Sequence, residues 1–153
     1  MNKLFTLSLG FIFSTSLAQA GSLFSLKEES GLVAPENQYQ LSCEISQEGV
    51  LNRALTKSVK VGNNWEMRVV ESERIPLIDT LLMQMTAQLE KAAHGKLNRR
   101  QAPCDVGSTS YMGNLKGAVV PLRVMENCEQ ILSNTAPEAQ LLITKLRELC
   151  KSN

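Results

Sequence analysis

The sequence predicts an α+β domain: an antiparallel sheet of about five strands with two helices packed on it, in the order β-β-β-α-β-β-α, stapled by two disulfides. Three observations carry this expectation. Residues 39–45 alternate apolar and polar with a period of two, and residues 76–95 and 135–150 repeat apolar side chains at helical spacing. Four cysteines, Cys43, Cys104, Cys128 and Cys150, are spread through a chain whose first twenty residues read as an export signal.

That signal is read from Met1-Asn2-Lys3, an apolar run from Leu4 to Leu17, and the small-x-small triplet Ala18-Gln19-Ala20. Cleavage is expected after Ala20, giving a soluble periplasmic or secreted protein of bacterial type without stable membrane insertion. The 153-residue chain has 16 basic and 15 acidic residues, and Lys3 is the only charge in the signal. A balanced charge argues against nucleic acid as a partner, because such binding rests on phosphate neutralisation.

Residues 21–37 keep neither period and are expected to form an extended or loosely packed leader to a single domain over 38–153. In the first strand, Tyr39, Leu41, Cys43 and Ile45 face one way and Gln40, Ser42, Glu44 and Ser46 the other. Glu48-Gly49 turns into a strand from Val50 to Val61. Gly62-Asn63-Asn64 turns again, and Trp65, Met67 and Val69 are expected as inner positions of a third strand.

The first helix opens near Pro76, buries Ile78, Leu81, Leu82, Met85, Leu89 and Ala92, and stops at Gly95. Lys96 to Pro103 reads as a polar connector. A hairpin follows, with strands over 108–112 and 118–124 and its turn at Gly113-Asn114, and Pro121 demands an edge or a bulge. Thr135-Ala136-Pro137-Glu138 reads as a capping box opening the last helix, whose inner face is Ala139, Leu142, Ile143, Leu146 and Cys150.

In an oxidising compartment four cysteines form two structural bridges, and Cys43–Cys104 with Cys128–Cys150 is the preferred pairing because it ties the last helix to the strand before it. The nearest two cysteines are too far apart for redox or zinc spacing. One histidine and two aspartates in the mature chain leave metal binding without a ligand set, and no cofactor motif is present. His94 is the only imidazole and lacks the neighbours of a nucleophilic triad.

Two segments stand out as candidate partner-binding surfaces. Lys91, Lys96, Arg99 and Arg100 form a basic stretch without an acidic residue, and Tyr111, Met112 and Leu115 lie in a glycine-rich hairpin. Helix-and-sheet content is similar to that of cystatin-like folds, but the Gln-x-Val-x-Gly inhibitor loop is absent and the element order differs. The sequence therefore reads as a non-enzymatic protein-binding or inhibitor-like module whose partner is another envelope or extracellular protein. The alternatives are an enzyme with a site near His94 and a purely structural envelope protein.

Overall fold

The computed structural model describes residues 21–102, 107–126 and 130–151, so the signal reading of residues 1–20 falls outside the described residues. The first half of the chain forms β1 (Ser22–Glu29), β2 (Tyr39–Ser46), β3 (Val50–Val61), β4 (Asn64–Pro76) and helix α1 (Asp79–Ala92). The second forms β5 (Leu97–Gln101), β6 (Ser108–Leu115), β7 (Ala118–Glu126), β8 (Gln130–Asn134) and helix α2 (Pro137–Cys150). All eight strands join one antiparallel sheet in the order β4-β3-β2-β1-β6-β7-β8-β5. The expected five strands and β-β-β-α-β-β-α order are thus corrected: each helix follows four strands.

The largest correction concerns the expected leader, which supplies the sheet's central strand. β1 pairs with β2 on one side and β6 on the other. Its first five residues, Ser22 to Leu26, are all buried. A strand covered on both faces has no alternation to display, and this erased the period-two signal. The polar connector is likewise a strand, β5, paired with the short β8.

The helices pack on each other, α1 also meets β6 and β7, and α2 also meets β7. Their contact face matches the helical spacing. α1 buries Met85, Leu89 and Ala92, while Ile78 at its N-cap is 69% exposed and outside the core. α2 buries Ala139, Leu142, Ile143, Leu146 and Cys150, the face expected from its periodicity. Its N-cap is Ala136, without a side-chain cap, because the Thr135 hydroxyl donates instead to the Lys96 carbonyl at 3.0 Å. No helix among the described residues is long and apolar enough to cross a membrane.

Buried Asn134 joins the two helices. Its Nδ2 donates to the Ala92 carbonyl at 2.8 Å, and its Oδ1 accepts from the Ala136 N–H at 3.0 Å, so one amide satisfies a helix end on either side. Gly95 is required by this close approach, since a Cβ there would lie 2.0 Å from Asn134 Oδ1. Gly113 is not a turn residue but lies within β6, where a Cβ would meet Leu89 Cδ1 at 2.3 Å. The hairpin turns at Lys116-Gly117, both with positive φ, as a tight two-residue loop demands. Pro121 is accommodated by a bulge, where the β6–β7 register shifts between Tyr111 and Met112.

One disulfide is present among the described residues, and it joins Cys43 to Cys150 with Cα atoms 5.8 Å apart. The preferred pairing of Cys43 with Cys104 and Cys128 with Cys150 is therefore overturned. α2 runs back across the sheet and ends over β2, so the partner of its last residue is remote in sequence. Cys104 and Cys128 lie outside the described residues.

Candidate functional site: a groove at the end of α2

Cross-strand neighbours share a face of the sheet, so the registers define rows of side chains beneath the helices. The first row is Leu51, Ile45, Phe24, Gly113 and Val120, and the second is Glu73, Arg53, Cys43, Leu26 and Tyr111. The third, about 7 Å further along the strands, is Glu71, Leu55, Leu41, Glu28 and Thr109. The helix layer covers the first two rows. α2 ends at Cys150, bonded into the second row through Cys43, and the third row continues beyond it.

The uncovered shelf is a groove of about 690 Å³. Leu26, Leu41, Leu55 and Tyr111 give it an apolar floor, while Glu28, Tyr39 and Thr109 add polar groups from three strands. Arg147 and Lys151 at the end of α2 form a cationic wall. An apolar surface with a few convergent polar groups is the usual composition of a ligand site.

Tyr39, Glu28 and Arg147 are held in place by hydrogen bonds. The Tyr39 phenol donates to Glu28 Oε1 at 2.6 Å. That bond to a carboxylate, with burial and the repulsion of the Glu28 charge adding to it, pushes the phenol up to about 12. Arg147 Nε donates to Tyr111 Oη at 2.7 Å, and its guanidinium carbon lies 5.4 Å from the ring centroid. Beside the groove, Arg53 is only 5% exposed; it lies 3.1 Å from Glu73 and 3.8 Å from Glu71 and donates to the Lys151 carbonyl. This cation stabilises the negative end of α2 and fixes the wall in place.

The residues singled out in the sequence fall in three places. Tyr111 lies in the groove floor, 1% exposed, with its ring in the core instead of at a hairpin tip. Met112 and Leu115 are half-buried in β6, Leu115 packing on the core. The basic stretch is exposed, but it does not form one patch. Lys91 is in the last turn of α1, Lys96 follows that helix, and Arg99 and Arg100 are successive residues of β5, whose side chains leave on opposite faces. Arg100 shares a polar notch of about 270 Å³ with Arg123, Asn98, Ser133 and Gln140.

His94 is exposed beyond the end of α1 and is not a groove residue. Among the described residues no group of three His, Cys, Asp or Glu side chains is placed to hold a metal ion. Glu28, Tyr39, Leu41, Leu55, Thr109 and Arg147 escaped the sequence reading as a site. Only Tyr39, Leu41 and Leu55 carried a signal there, as apolar positions of strands.

No protein-family model matches the chain, and no curated protein matches it at a significant level.

Proposed function

We propose that this chain is an exported, non-enzymatic binding module that holds an extended segment of another envelope or extracellular protein in the groove at the end of α2. The single observation that carries the reading is the half-buried third row beyond the end of α2, where an apolar floor is flanked by the Tyr39–Glu28 pair on one side and Arg147 on the other. Such a surface favours an apolar side chain on Leu41 and Leu55 beside an acidic group facing Arg147 and Lys151. Export is supported by the signal pattern at residues 1–20 and by the Cys43–Cys150 bridge, since disulfides persist in oxidising compartments.

A photo-reactive residue in place of Thr109, expressed in cells that export the protein, tests the reading. A single defined protein adduct is expected, weakened by Arg147→Ala and absent when the same label replaces Asn52 on the other face of the sheet. Equal, diffuse labelling at positions 109 and 52 would refute it.

A further inference from the structure

The sheet has two edges, and they differ in protection. β5 is five residues long and carries Arg99 and Arg100, the short charged form that discourages edge pairing. β4 is thirteen residues long and holds its one proline at its last position, and its outer half, before the register shift near Val70, carries only Glu66 and Arg68 as charges. Trp65, Met67 and Val69 stand 42%, 46% and 63% exposed along its outer half.

The β3–β4 register fixes which backbone groups of β4 are free. Val61 and Asn64 flank the two-residue loop Gly62-Asn63 and form its closing hydrogen-bonded pair. Hydrogen-bonded pairs then recur at every second position, at Val59–Glu66 and Lys57–Arg68. The N–H and C=O groups of Trp65, Met67 and Val69 accordingly point away from β3. From the other end, Leu77 N–H donates to the Gly49 carbonyl at 2.8 Å, which sets the same parity as far as Leu55–Glu71. A bulge at Val70 joins the two stretches. Side chains 65, 67 and 69 share one face, and Glu66 and Arg68 share the other.

We propose that β4 pairs with β4 of a second copy of this chain, antiparallel about a two-fold axis at Met67. In this register Met67 meets Met67 of the second copy, and Trp65 meets Val69 in both directions. All three residues offer their free backbone groups to one another. On the opposite face Glu66 meets Arg68 of the second copy, and Arg68 meets Glu66. An axis at Glu66 or at Arg68 would still pair the free backbone groups but would set Glu66 against Glu66, or Arg68 against Arg68, of the second copy. Within one copy Glu66 and Arg68 are 2.9 Å apart and exposed, a pairing of little worth that exchanges readily for the one across the axis. The isologous contact merges two eight-stranded sheets into one.

Charge exchange tests the proposal on the purified, oxidised protein. Sedimentation equilibrium is expected to find dimers of the unmodified chain. Glu66→Arg and Arg68→Glu should each weaken dimerisation by about tenfold or more. An equimolar mixture of the two variants, and the Glu66→Arg/Arg68→Glu double variant, should restore it. Trp65 is the only tryptophan, so its emission should shift to the blue as the unmodified chain dimerises and stay red in either single variant. Circular dichroism identifies any variant that does not fold, and Val69→Lys is then the substitute that should remain monomeric. An unmodified chain that stays monomeric at its highest attainable concentration would overturn the proposal, as would single variants that associate like the parent.

Discussion

Tyr39 donates its phenolic hydrogen to Glu28 Oε1 at 2.6 Å, and this bond ties β2 to β1 at the groove floor. The carboxylate accepts from the neutral phenol and repels the phenolate, which raises the phenol from its ordinary 10.0 to about 12. A folded-state value above the unfolded one means that the stabilisation is fully present below pH 10 and is lost as pH rises through the interval to about 12. The phenolate absorbance of Tyr39, obtained as the difference between the parent and Tyr39→Phe, should therefore appear at the upper end of that interval. Glu28→Gln should bring it back toward 10.0. An unshifted titration in Glu28→Gln would show that the carboxylate does not hold the phenol.

Arg53 is the buried cation between β4 and the end of α2. Replacing it with Met leaves Glu71 and Glu73 without their partner, although at 41% and 44% exposure both remain in contact with water. The Lys151 carbonyl also loses a donor. Arg53→Met should destabilise the fold by about 2 to 3 kcal/mol, less than the loss of a fully buried pair. Glu73→Gln should cost only about 1 kcal/mol, since Glu71 and the Lys151 carbonyl still engage Arg53. Urea denaturation measures both; a neutral Arg53→Met would contradict the role given to this side chain.

Gly113 allows α1 to settle on β6. A methyl group there collides with Leu89, which is fully buried, so Gly113→Ala should destabilise by about 1 to 3 kcal/mol. Leu89→Ala alone opens a cavity and should cost about 2 to 5 kcal/mol. In the double variant the new methyl group enters the vacated space. Its loss should be smaller than the sum of the two single losses, which a double-mutant cycle measures directly. Additive losses would mean that the two positions do not touch.

Much of the fold was legible where a strand or helix keeps one face in water. β2 and β3 were placed by alternation and by the Gly49 and Gly62 turns, both with positive φ, and the buried face of α2 was read residue by residue. Where both faces are covered, or where an edge strand is short, that logic fails. β1 shows no alternation because it lies at the centre of the sheet, and β5 reads as polar because Asn98, Arg99 and Arg100 line an edge. In β4 the alternation predicts Trp65, Met67 and Val69 as inner positions, whereas they are exposed; the bulge at Val70 reverses the alternation, so the strand continues beyond Val69 with Glu71 and Glu73 on the face that carries the helices.

The groove was harder to foresee for the same reason. Glu28 and Thr109 become neighbours only because β1 pairs with β6, and Tyr39 reaches Glu28 only because β1 also pairs with β2. With residues 21–37 expected as an extended or loosely packed leader outside the domain, no spacing in the sequence brings these residues together. Tyr111 was noticed for its glycine-rich surroundings, but its role comes from Arg147, which stacks over and hydrogen-bonds to it from a helix thirty-six residues away.

The groove exists because α2 stops over β2, and the Cys43–Cys150 bridge is what holds it there. The bridge closes a span of 107 residues, and in the chain-entropy model such a loop contributes about 4 to 5 kcal/mol. Peptide mapping of the non-reduced protein tests this placement most directly. The expected product is a linked fragment that contains Cys43 and Cys150. Recovery of Cys43 joined to Cys104, or of Cys150 joined to Cys128, would contradict this placement and remove the wall of the proposed site.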